Sequence, residues 1–139
     1  MDNNLPKPPK AIGNYTTIKK VDNLIFTSGH VPITEDIKYI GKIPNEQSTE
    51  DGYKAASLCA ELTLATLSEK YNLEKLTPLN VVGFVNCSDD YSDHPKVLNG
   101  FTDKLEEYFD SKATRSAVGV SSLPMNVSVE VQTIFYIDE

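Results

Sequence analysis

Residues 113–137, "ATRSAVGVSSLPMNVSVEVQTIFYI", decide the fold. They read as two β-strands, at about 114–120 and 127–137, separated by a turn around Leu123-Pro124. Successive strand residues point to opposite faces of a sheet. In the second strand Val127, Val129, Val131, Thr133, Phe135 and Ile137 form one row, suited to a core; Ser128, Glu130, Gln132, Ile134 and Tyr136 form the other. In the first strand Ser116, Val118 and Val120 are expected to join the core, which leaves Arg115, Ala117, Gly119 and Ser121 on the opposite face. On this reading Arg115 and Glu130 share the side of the sheet that no helix covers. An arginine or glutamate is almost never fully buried without a partner, so the two mark either an ion pair or a site. The small residues beside the arginine leave room for a ligand or a neighbouring chain.

Working outward, "LNVVGFVNC" (79–87) is a short continuous apolar run, the mark of a buried strand. Two helices flank it. Ser48 and Asp51 have capping-box spacing ahead of "GYKAASLCAELTLATLSEKYN", which predicts a long helix to about Asn72 with Ala55, Leu58, Cys59, Leu62, Ala65 and Leu67 on its apolar face. Ser92 or Asp93 is placed to cap a second helix with Pro95 in its first turn, a stripe of Val97, Leu98, Phe101, Leu105, Tyr108 and Phe109, and an end near Phe109. Upstream, 15–21 and 24–28 are β-branched runs joined at Asp22-Asn23, a hairpin. The stretch 33–47 is polar and Gly/Pro-punctuated, a surface connection with short strand pieces around Tyr39-Ile40. The order β-β-α-β-α-β-β predicts an α+β domain, a mixed sheet with two helices on one face. The other face then needs a partner.

A chain of 139 residues with 40% hydrophobic content is the size of one domain. Residues 1–10, "MDNNLPKPPK", read as a flexible polar arm, and 11–139 as a single domain. The formal charge of -7 opposes binding to phosphate backbones, so nucleic acid is not an expected partner. With no apolar leader and no run of membrane-spanning length, the expected location is the cytoplasm. Cys59 and Cys87 read as small buried apolar residues, and His30 and His94 as loop residues. Asp89, Asp90 and Asp93 lack the spacing of a calcium loop, and no metal site is expected.

The motifs "AIGNY" (11–15), "FTSGHVP" (26–32), "GYKAASLCAELTLATL" (52–67), "VLNGFTDKLEEYF" (97–109) and "RSAVGVSSLPMNVSVEVQTI" (115–134) occur in that order, and together they resemble the RidA (YjgF/YER057c/UK114) family, whose older label is L-PSP endoribonuclease. The resemblance implies a chorismate-mutase-like fold assembled as a homotrimer, with a central β-barrel of sheet faces and clefts between subunits that take a small carboxylate. In members that hydrolyse reactive 2-imino acids to 2-oxo acids and ammonia, as 2-iminobutanoate/2-iminopropanoate deaminases, the position matched by Arg115 binds the substrate carboxylate and that matched by Glu130 lies near the reactive water. Tyr15, Ser28 and Gly29 match residues lining the cleft. No cofactor is implied. Ala117 stands where many deaminases have cysteine, His30 where glutamine is common, and "GNY" where "GPY" is usual. These departures leave open a second function, a trimeric binder or sensor of 2-oxo acids without turnover. Ribonuclease activity is a third, disfavoured by the acidic charge. An inter-subunit Arg115–Glu130 ion pair and an ordinary strand role for Tyr15 are the plainer alternatives.

Overall fold

The computed structural model describes residues 4–139; residues 1–3 of the expected N-terminal arm lie outside them. Five strands and two helices form in the expected order: β1 (Ile18–Val21), β2 (Leu24–Thr27), α1 (Thr49–Ser68), β3 (Leu76–Asn86), α2 (His94–Glu106), β4 (Thr114–Val120) and β5 (Val129–Ile137). They make one mixed sheet, ordered β1-β2-β5-β3-β4. Only the β3–β4 pairing is parallel, and α2 is its crossover. Asp22 takes a left-handed conformation (φ 52°) in the β1–β2 turn, which Asp tolerates better than most residues.

Local chemistry sets the helix ends. Ser48 Oγ accepts the Asp51 N–H at 3.0 Å while Asp51 Oδ2 accepts the Ser48 N–H at 3.1 Å, a reciprocal capping box. The second helix starts after Asp93 with Pro95 in its first turn, but the Asp93 side chain makes no capping hydrogen bond. Both helices end before the sequence suggested, α1 at Ser68 rather than Asn72 and α2 at Glu106 rather than Phe109, because "SEKYN" and "EEYF" end in hydrogen-bonded turns. The third strand starts three residues earlier than expected, with a register shift between Pro78 and Asn80 where proline interrupts the ladder.

The core lies between the helices and one face of the sheet. Val129, Val131, Thr133, Phe135 and Ile137 are all buried there, as the alternation of the last strand requires. The connection 33–47 is less superficial than its composition suggests: Ile43 is fully buried and bridges Cys87, and Ile40 bridges Val127. On the uncovered face, Val21, Leu24, Phe26, Val118 and Tyr136 are each more than a third exposed.

The face assignment of β4 is corrected by its register. Arg115 pairs with Val81, which is fully buried and itself pairs with Thr133. Arg115, Ala117 and Gly119 therefore point to the helix-covered side, and Ser116, Val118 and Val120 to the open side. Valines mark the core face in the sequence, but here the start of α2 lies so close to the C-terminal end of the edge strand that a side chain at position 119 would collide with it. A Cβ on Gly119 would lie 2.6 Å from His94 Nε2. Glu130, opposite Phe84 and Val118, is on the open side, so Arg115 and Glu130 do not share a face.

Candidate functional site

Four of the six residues singled out for a site come together. Tyr15, Ser28, Gly29 and Glu130 line a concavity of about 820 Å³ with Ile12, His30 and Met125. Tyr15 is not a strand residue: β1 begins at Ile18, and Tyr15 stands half-exposed in the bend before it, its N–H bonded to Gly13 O at 2.9 Å. The Ser28 hydroxyl donates to Thr16 O at 2.6 Å, tying the end of β2 to the segment that carries Tyr15. Glycine at position 29 leaves room for the Glu130 carboxylate, which a Cβ there would overlap and displace.

Glu130 is the unusual group. It is half-buried against that glycine, and no hydrogen bond or ion pair to another described residue holds its carboxylate. Desolvation pushes its pKa up from the ordinary carboxylate value of 4.5. A carboxyl so poised exchanges protons closer to neutrality than a solvated one.

His30 is not a surface loop residue. It is 3% exposed and exchanges both backbone hydrogen bonds with Val131. Its Nδ1 lies 2.9 Å from Ser28 O, which only accepts, so Nδ1 carries the proton; Nε2 then accepts from Thr66 Oγ1 at 2.8 Å. Burial lowers its pKa below 6.5, against the smaller opposing effect of the Ser28 carbonyl. With both ring nitrogens engaged, His30 is a brace behind the concavity, tying α1 to β5.

The opposite wall is braced by an asparagine that sequence reasoning missed. Asn86, fully buried, donates to Asn126 Oδ1 and Val127 O at 3.0 Å each and accepts from Lys42 Nζ at 2.8 Å. It holds the turn in which Met125 and Asn126 both take left-handed backbone conformations (φ 58° and 57°), and Met125 lines the concavity.

Arg115 and Ala117 lie elsewhere, on the helix side of the edge strand. Arg115 Nη1 donates to Asn99 Oδ1 at 2.8 Å and Thr102 Oγ1 at 3.2 Å, both on α2, and borders a smaller concavity of about 290 Å³. Asn99 and Thr102 are separated by three positions on one helix face, and that spacing in "NGFT" is the signal the sequence carries for them. No ion pair joins Arg115 to Glu130 within the chain. Ala117 is partly buried against the core between Arg115 and Gly119. Among the described residues no group of three or more His, Cys, Asp or Glu is placed to hold a metal, and no helix is long and apolar enough to cross a membrane.

Comparison with known proteins agrees with this architecture. A RutC family protein of Pyrococcus abyssi is 31% identical over 94% of this chain and 91% of its own length. A 2-iminobutanoate/2-iminopropanoate deaminase of Dermatophagoides farinae is 25% identical over 96% of this chain and 93% of its own. A solved structure from Shewanella oneidensis superposes with a TM-score of 0.91 at 25% identity, covering 96% of this chain and 91% of that one. The profile of the Endoribonuclease L-PSP family matches residues 6–137, and the chain belongs to that family.

Proposed function

We propose that the protein hydrolyses small 2-imino acids to 2-oxo acids and ammonia, at sites completed between copies of the chain in a homotrimer. The observation that carries this reading is Glu130: a carboxyl without a partner among the described residues, its pKa raised by burial, in a concavity wide enough for a small acid. Arg115, oriented by Asn99 and Thr102, presents the rest of its guanidinium as a planar fork suited to a carboxylate. The two groups lie on opposite faces of one subunit, so a substrate touching both requires a second copy. The apolar open face of the sheet gives such copies a surface to bury, and closing it as a barrel accounts for its exposed Val118, Phe26 and Tyr136.

In this reaction water adds to the imine carbon as Glu130 takes its proton; the C=N π pair moves to nitrogen, which the same carboxyl then protonates. The carboxyl then moves the hydroxyl proton of the resulting carbinolamine to its nitrogen, and the C–N bond breaks as the C=O forms, releasing ammonia and the 2-oxo acid. The similarity to the Dermatophagoides deaminase supports this chemistry. A binder of 2-oxo acids is the second reading, favoured by the distance of Arg115 from Glu130 within one chain, since carboxylate capture needs the arginine alone. Ribonuclease activity has the family label and the endoribonuclease names of solved relatives behind it, and a net charge of -7 against it. The test is to generate 2-iminobutanoate with an amino-acid oxidase beside the protein and follow ammonia and 2-oxobutyrate. Acceleration over buffer supports the enzyme, and binding of 2-oxobutyrate without acceleration supports the binder.

A further inference from the structure

A second cluster of reactive groups lies at the far end of the β4–α2 groove, apart from the residues above. Cys87 follows the last residue of β3, and its Sγ is 3.5 Å from Nε2 of His94, the first residue of α2. Both line a concavity of about 450 Å³ with Ser88, Asp89, Tyr91 and Gly119. Tyr91 meets the His94 ring edge-on at 5.4 Å, and its hydroxyl is tied to Thr49 Oγ1 at 2.7 Å, so the imidazole is held from behind. Gly119 gives the pair clearance, because a Cβ there would sit 2.6 Å from His94 Nε2 and 2.8 Å from Cys87 Sγ, and Cys87 itself is 6% exposed. The other cysteine, Cys59, is fully buried in the core and has no such base.

We propose that Cys87 and His94 form a thiol–imidazole pair that captures small carbon electrophiles with an activated double bond, a site separate from the imine chemistry and independent of it. Sγ forms a bond to the β-carbon of the acceptor while its proton passes to His94 Nε2. The π pair moves to the α-carbon, which then takes that proton back from His94. The sum is an addition: no leaving group, oxidant or reductant is involved. Conjugate addition suits the geometry because one imidazole, within reach of the sulfur, serves both proton transfers. Burial pushes the Cys87 thiol above its usual pKa, so at neutral pH it is protonated and depends on that base.

The test is brief exposure of the native protein to N-ethylmaleimide, followed by intact-mass and peptide mapping. One adduct, at Cys87 and not Cys59, is expected, with a rate about 10-fold or more lower in His94→Gln. Gly119→Ala, which wedges a methyl group between the two side chains, should slow it as well. Thermal melts identify any variant that has lost its fold, and the wild-type labelling pattern stands without either variant. A Cys87 that stays unlabelled in the native protein while reacting fully in urea would overturn the proposal, as would an unchanged rate in folded His94→Gln.

Discussion

The carboxylate of Glu130 occupies the space that a side chain at position 29 would need, so Gly29 and Glu130 are fitted to each other where the chain leaving β2 passes β5. The obstructing atoms belong to the flexible end of a side chain and not to backbone. Gly29→Ala should therefore fold, at a cost of about 1 kcal/mol, while displacing the carboxylate. Imine hydrolysis in this variant should fall by ~100-fold or more with the thermal melt little changed, measured as 2-oxobutyrate release.

Glu130→Gln should separate stability from turnover. The carboxylate is destabilised by burial, so replacing it with a neutral isostere removes an unfavourable charge at neutral pH. The sign is explicit: a carboxyl whose folded pKa lies above its unfolded value binds more protons when folded, and its charge lowers stability as pH rises through that window. The expected result is a melting temperature at pH 7 equal to or above the wild type's, with kcat reduced by ~10²–10⁴-fold.

For His30 the sign is reversed. Its folded pKa is depressed, so between that value and the ordinary 6.5 the unfolded chain binds the extra proton. Its contribution to stability is fully present above about pH 6.5 and is lost as pH falls towards the folded pKa. Melting temperatures followed from pH 7.5 to 5 should decline for this reason, and His30→Gln should flatten the decline. An identical slope in the variant would remove His30 as its source.

Arg115 has neutral partners, Asn99 and Thr102, so its removal strands no buried opposite charge. Arg115→Ala should cost about 1–2 kcal/mol of stability, read by denaturant titration, far less than breaking a buried ion pair. Arg115→Lys keeps the charge but loses the fork, and calorimetry with 2-oxobutyrate should show most of the affinity gone. Undiminished binding in folded Arg115→Ala would remove it from the site.

The sequence carried the elements but not the sides. Capping signals and apolar stripes locate both helices, β-branched and apolar runs bounded by turns locate the strands, and the alternation of valines in β5 orients that strand correctly. It failed for β4 because apolarity was taken to mark the core. At the edge strand beside the start of α2, clearance requires glycine at position 119, and the exposed Val118 belongs to a face that is open in the single chain. The residues that position the site were invisible for a related reason. Asn86, Asn99, Thr102 and the bond of His30 to Thr66 act through contacts between segments 13 to 44 positions apart, which no local pattern encodes.

The central claim is that each site takes Arg115 from one copy and Glu130 from another, and subunit mixing tests it most directly. Arg115→Ala and Glu130→Gln should each be nearly inactive alone. After the two are dissociated together and reassembled in equal amounts, random hybrids place an intact Arg115 against an intact Glu130 at about one interface in four, so about a quarter of wild-type activity should return. Native mass spectrometry on the same sample verifies that mixed assemblies formed. Hybrids that form and remain inactive would contradict a site shared between copies.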